Sequence, residues 1–177
     1  MFVSHIQQHN QLLQFCGVNA HHKNGVAERS IRTVSDKGRV LLLHASMHWR
    51  DGIDSKLWPM AVTYAAYLHN HLPNSQGIAP IDIFTGVQSP RHHLKHFHTW
   101  GCPVYVLDPK LQQGKKLPRW EPCAPRCSMF VGFSYIHSSN VPLVLNLQTG
   151  HISPQYHVVF EDSFSTVPSR SDSDALP

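Results

Sequence analysis

No acidic residue precedes Glu28 in this chain of 177 residues, and charged side chains make up only 15% of it. No run of about 18 or more apolar residues occurs, so no membrane-spanning helix is expected. The opening "MFVSHIQQHNQ" has neither a basic stretch nor an apolar one behind it. No secretory leader is therefore visible, and an intracellular chain is expected. There is no G-x-S-x-G, no Walker-type loop and no dinucleotide fingerprint, so serine or cysteine nucleophile chemistry has no visible support. Cysteine is sparse, at positions 16, 102, 123 and 127, with irregular spacing that suits reduced, buried or idle thiols. Cys123 and Cys127 form a C-x3-C pair, yet no second Cys/His pair stands at zinc-finger distance, and zinc is not assigned.

What is present is a globular composition with 41% hydrophobic residues. The length suits one ordinary domain, or a truncated domain plus a small one. The net charge of +4 is unevenly spread. Residues 1–50 carry six Lys/Arg against two acids, and 91–130 carry seven against two. The stretches 51–90 and 131–177 are net acidic. Two separate basic segments fit a polyanionic partner touched in two places.

From Gly25 the pattern is helical. Ala27, Ile31, Val34, Gly38, Leu41/Leu42 and Ala45 recur at three- and four-residue steps and make one apolar stripe. Glu28, Arg32, Ser35 and Arg39 then line another side. Upstream, "NQLLQFCGV" (10–18) reads as a short strand. A second helix is expected in "DSKLWPMAVTYAAYLHNHLP", capped by Asp54 or Ser55, with Pro59 in its first turn and Pro73 ending it. Its stripe is Leu57, Ala61, Ala65 and Leu68, widened by Trp58, Val62 and Tyr64. The Gly-, Pro- and Ser-rich stretch that follows reads as a connector. Four β-like runs come next, at 103–107, 128–134, 141–147 and 157–161, with Gln148-Thr149-Gly150 as a hairpin loop. Short strands this close together suggest a small barrel. The Ser-rich end after Asp162 reads as disordered.

"NGVAERSIRT" resembles the segment that carries the third catalytic acid in integrases of copia-type retrotransposons. The similarity continues in order through "LWPMAVTYAAYLHNHLP", "APIDIFTG", "WGCPVYVLDP", "MFVGFS" and "LNLQTGHISPQYHVVFED". The resemblance implies an α/β chain: a truncated ribonuclease-H-like integrase core over 1–88, a linker over 89–100, an SH3-like β-barrel over 101–162 and a tail over 163–177. It maps the family's catalytic, metal-binding glutamate onto Glu28. It also implies Mg²⁺ or Mn²⁺ in the intact enzyme, element ends and target DNA as partners, a nuclear location and no membrane, and leaves homo-oligomer formation open. The family's two aspartates should lie upstream of Glu28, where this sequence has no acid. His5, His9 and Cys16 do not reproduce the paired ligands of the family's zinc module.

Could local acids replace the aspartates? Two-metal chemistry needs carboxylates converging on ions about 4 Å apart. Asp36 lies eight residues on, about 12 Å along the helix at roughly 1.5 Å per residue. Asp51 and Asp54 lie past the helix end. No metal is expected to bind well, and strand transfer by this chain alone is not expected. From spacing alone Glu28 reads as a first-turn acid, favoured by the helix dipole and paired with Arg32. The resemblance adds a catalytic ancestry, and both can hold. For DNA contact the candidates are Lys23, Arg32 and Arg39 on the helix. A second set is Lys110, Lys115, Lys116 and Arg119 in a loop, with Trp120 offering a stacking surface. Such contact should be sequence-tolerant. His92 and His96, at i and i+4 in "RHHLKHFH", lack an accompanying acid and read as linker. The alternative to an integrase fragment is a non-catalytic nucleic-acid-binding remnant or an unstable gene fragment.

Overall fold

A computed structural model describes residues 2–9, 11–12, 17–18, 24–49, 53–87, 91–121, 126–138 and 141–167. It is mixed α/β, with helices and a five-stranded antiparallel sheet. The chain divides into two compact units, residues 1–33 and 34–177. Helix α1 (Phe2–Gln8) lies in the first, and helix α2 (Gly25–His48) begins in the first and continues into the second. The strand expected over 10–18 falls mostly outside the described residues.

In the first unit α1 ends where the His9 backbone N–H donates to the His5 carbonyl, with Gln11 donating to Ile6. Ser30 Oγ donates to the Val26 carbonyl at 2.9 Å in the first turn of α2. On the apolar stripe of this unit, Ala27 is exposed and Ile31 is 67% exposed.

In the second unit the same stripe is packed. Val34, Leu41 and Leu42 are half-buried, and Gly38 and Ala45 are buried. Helix α3 (Trp58–His71) crosses α2 so closely that a Cβ on Gly38 would meet Val62 Cγ2 at 2.8 Å. The absence of a side chain at Gly38 is what lets the two backbones approach.

Entry to α3 differs from the single helix expected. Asp54 caps a short 3₁₀ turn, Ser55–Leu57, by accepting from the Lys56 N–H at 2.9 Å, and α3 starts only after it. Pro59 sits in its first turn, where its missing N–H costs no hydrogen bond. Ala61, Tyr64 and Ala65 are buried, as the stripe requires, but Trp58 is 59% exposed.

The stretch after α3, read as a connector, contains a further helix, α4 (Pro80–Thr85). Pro80 opens it, the Asp82 carboxylate accepts from the Ala79 N–H, and Gly86 closes it in a left-handed conformation with φ of 68°. A 3₁₀ segment, Arg91–His96, then leads to the sheet.

The strands are β1 (Pro103–Val106), β2 (Arg126–Phe133), β3 (Pro142–Leu145), β4 (Ile152–Pro154) and β5 (Val158–Phe160), with α5 (Pro109–Gln112) between β1 and β2. Their order is β4-β3-β2-β1-β5. Strands β1 to β4 form a meander, and β5 returns to the free edge of β1 with Tyr105 opposite Val159. The expected loop at 148–150 is found, but it joins β3 to β4, a strand the sequence did not reveal. Asn146 Oδ1 accepts from the Gln148 and Thr149 N–H groups in this turn. As a three-residue edge strand β4 can end in Pro154, which a central strand could not.

Helix α3 packs its Tyr64 against the sheet, edge-to-face with Phe130 at 5.3 Å between ring centroids. The Tyr64 hydroxyl donates to the His98 carbonyl at 2.6 Å and accepts from the His98 N–H at 3.2 Å. Trp100, fully buried, donates from Nε1 to the Val131 carbonyl at 3.1 Å. Gly101 has φ of 82°, and a Cβ there would stand 2.4 Å from the Ala45 Cβ, so α2 touches the backbone entering β1. Trp49 completes this corner by donating from Nε1 to the Gly101 carbonyl at 2.8 Å.

Residues 163–167, read from composition as the start of a disordered tail, are packed. Phe164 and Val167 are buried, and Phe164 stacks on His48 at 4.2 Å. The serines and threonine that look disorder-prone here donate to one carboxylate: Ser163 and Thr166 both bond Glu161.

Candidate nucleic-acid interface

Lys110, Lys115, Lys116 and Arg119 are all exposed on the connection between β1 and β2. The described part of this connection is a folded turn. Asp108 Oδ1 accepts from the Lys110 N–H at 2.7 Å, and Pro109 occupies the first position of α5. Gln112 Nε2 donates to the Leu107 carbonyl at 2.8 Å, tying α5 to the end of β1. Gly114 turns the chain at φ of 73°, and the Lys115 N–H then donates to the Lys110 carbonyl at 2.9 Å. That bond brings the backbones of two cation-bearing residues together.

Beyond half-buried Leu117, the Glu121 N–H donates to the Pro118 carbonyl and closes a second turn that displays Arg119 and Trp120. The Arg119 guanidinium lies 5.7 Å from the centroid of the Trp120 ring, within cation–π range. Trp120 is 90% exposed. The nearby acids are Asp108, committed to its cap, and exposed Glu121.

The helical candidates are less organised. Arg32 and Arg39 are exposed, in the first and second unit respectively, and Lys23 lies outside the described residues. Glu28 is exposed in the first turn of α2. It makes no ion pair with Arg32: among the described residues the ion pair found is His98–Asp162. Exposed i, i+4 pairs contribute only about 0.3–0.5 kcal/mol, too little to fix two long side chains.

The resemblance implies divalent ions, for which the described residues offer no assembled carboxylate site. Among the described residues no three His, Cys, Asp or Glu side chains gather as a ligand set. Asp36 is eight positions from Glu28 and Asp54 is occupied as a cap. Asp51 and the His92 side chain lie outside the described residues, as do Cys16 and Cys123. The two described cysteines are both held toward the neutral thiol. Burial pushes up the thiol of Cys102, and it does the same to Cys127, whose residue is exposed but whose sulfur is partly shielded.

The sequence did not reveal a polar clamp between the chain entering β1 and the chain leaving β5. Asp162 Oδ2 bonds His98 Nδ1 at 2.9 Å and its Oδ1 accepts from the Thr99 N–H at 2.6 Å. The His98 ring stacks on Phe160 at 3.5 Å. Partial burial raises the Asp162 carboxyl, but its bonds to His98 and Thr99 outweigh that and hold it below the ordinary value. The clamp ties the chain just before β1 to the chain just after β5.

No protein-family profile and no solved structure matches the chain significantly. Among the described residues no helix is long and apolar enough to cross a membrane. The chain is similar to retrovirus-related Pol polyproteins of two transposons of Arabidopsis thaliana. It is 30% identical to that of RE2 over 78% of its own length, and 31% identical to that of RE1 over 79%. It is 34% identical over 62% of its length to the polyprotein of transposon TNT 1-94 from Nicotiana tabacum. The chain spans 9% of the length of each Arabidopsis polyprotein and 7% of the tobacco one. Its homologues, at 30–34% identity over most of its length, are thus the retrovirus-related Pol polyproteins of copia-type transposons.

Proposed function

We propose that the chain is the C-terminal part of a copia-type integrase, the end of a ribonuclease-H-like core followed by a small SH3-like barrel. On this reading its role is sequence-tolerant binding of DNA in the nucleus, without strand transfer of its own. The Pol homology, the run of integrase-like segments in order and the antiparallel β4-β3-β2-β1-β5 sheet support the assignment. Glu28 descends from the family's catalytic acid and here serves as a first-turn acid of α2.

The observation that carries the binding role is the folded basic loop. Of four exposed cations, Lys110, Lys115 and Arg119 stand on two hydrogen-bonded turns and Lys116 lies between them, so little backbone entropy is lost when phosphates are engaged. Nothing in the loop presents a base-reading pattern; phosphate contact positions a protein without selecting a sequence.

Replacing Lys115, Lys116 and Arg119 together by alanine leaves up to three phosphates without a cation. The measurement is fluorescence anisotropy of a generic duplex at several salt concentrations. The slope of log affinity against log salt should become shallower by about 0.9 for each phosphate no longer neutralised. Coincident slopes for the two proteins would reduce the loop to solvated surface.

A further inference from the structure

Three of the four tryptophans differ from the fourth. Trp49 and Trp100 spend their indole N–H groups on backbone carbonyls inside the fold, and Trp58, which opens α3, is 59% exposed. Trp120 is held out at 90% exposure by a turn closed with a backbone hydrogen bond, between a guanidinium and an acid. A ring this exposed contributes little apolar burial to the fold and keeps its flat face available.

Resting on the DNA-binding reading, we propose that Trp120 is a stacking platform for an unpaired base. The ligand is single-stranded nucleic acid, with Lys115, Lys116 and Arg119 taking its phosphates. The geometry separates this from duplex binding. An indole offers a flat face, and it is satisfied by another flat face. In a duplex the faces of the bases are already stacked on one another, leaving only edges and phosphates to a surface loop. An unpaired strand presents both the face and the charge. Arg119 lies within cation–π distance of the ring and carries the positive charge that the strand's phosphates need. The pairing of aromatic face with a cationic track is the general solution for single strands, and it tolerates any base.

The test uses the full chain and labelled oligothymidylate, an abasic strand with the same number of phosphates, and a generic duplex. Trp120→Ala should weaken oligothymidylate binding about 5- to 150-fold, the range given by roughly 1–3 kcal/mol per stacked base. It should leave the duplex and the abasic strand within about twofold, since their contacts are to phosphate. Trp120→Phe, which keeps a face, should restore most of the loss. Oligouridylate should show the same dependence on Trp120, because the ring meets the base and not the sugar. The side chain is exposed, so an unchanged melting curve for Trp120→Ala is expected and validates the comparison.

Equal weakening of all ligands, or of none, overturns the proposal. So does binding to anionic vesicles in place of oligonucleotides. If the triple alanine variant leaves the salt slope unchanged, the phosphate reading fails by itself. If that slope falls while Trp120→Ala makes no distinction between ligands, only the stacking inference fails.

Discussion

Gly101→Ala tests the corner where α2 meets the sheet. Two costs combine there. The backbone sits at φ of 82°, where an L side chain costs about 1–2 kcal/mol. The new methyl would also stand 2.4 Å from the Ala45 Cβ, so α2 or the β1 entry must shift. Overpacking of this kind costs roughly 1–3 kcal/mol. Together they amount to about 2–5 kcal/mol, or roughly 4–20 °C in melting temperature for a chain of this size. Gly114 supplies the control, with φ of 73° and nothing within 4 Å of its ideal Cβ. Gly114→Ala carries the backbone cost alone. The difference between the two variants, followed by near-ultraviolet circular dichroism during heating, isolates the close approach. Adding Ala45→Gly to Gly101→Ala should then recover about 1–3 kcal/mol through a favourable coupling, despite the helix cost of glycine. If Gly101→Ala and Gly114→Ala are equally destabilising, or the double variant shows no coupling, α2 does not press on Gly101.

Acid stability and catalysis supply two further expectations. The Glu161 carboxyl is held below its ordinary value chiefly by the Ser163 hydroxyl, and Asp162 is also lowered, so each binds protons more readily unfolded than folded. Their contribution is full above the ordinary carboxylate range and disappears as pH falls through their lower folded values. The melting temperature of Glu161→Gln/Asp162→Asn should therefore fall less than that of the native chain between about pH 6 and pH 3; parallel curves would mean that these carboxylates do not couple folding to pH. With Mg²⁺ or Mn²⁺ and a DNA end, the chain should neither nick nor join strands, because one carboxylate cannot organise two ions. Metal-dependent strand transfer that is lost in Glu28→Gln would refute this.

Periodicity identified which residues of α2 and α3 share a face, but not whether anything covers that face. Gly38 lies against Val62 and Ala45 against Gly101, whereas Ala27 and Ile31 on the same stripe are exposed. Composition misled where it outweighed position. Pro80, Asp82 and Gly86 are ordinary start and stop signals of a short helix, hidden in a stretch that looks like linker. Strand β4 was missed because three residues ending in proline carry no alternation to detect. At the candidate interface the cations and Trp120 were readable directly. Their scaffold was not, since Asp108, Gln112 and Gly114 act through bonds to backbone groups that no side-chain pattern encodes.

The return of β5 to β1 has a consequence for synthesis on the ribosome. Strands β1 to β4 can pair as they emerge, since each neighbours the next. The far edge of β1 cannot be paired until Val158–Phe160 has been translated, and the Asp162 clamp on His98 and Thr99 comes later still. For that interval the nascent chain carries an open strand edge, the kind of surface that recruits other unfolded chains. A product terminated before Val158 would keep that edge open for good, so nearly the whole described sequence must be made before its first strand is safe.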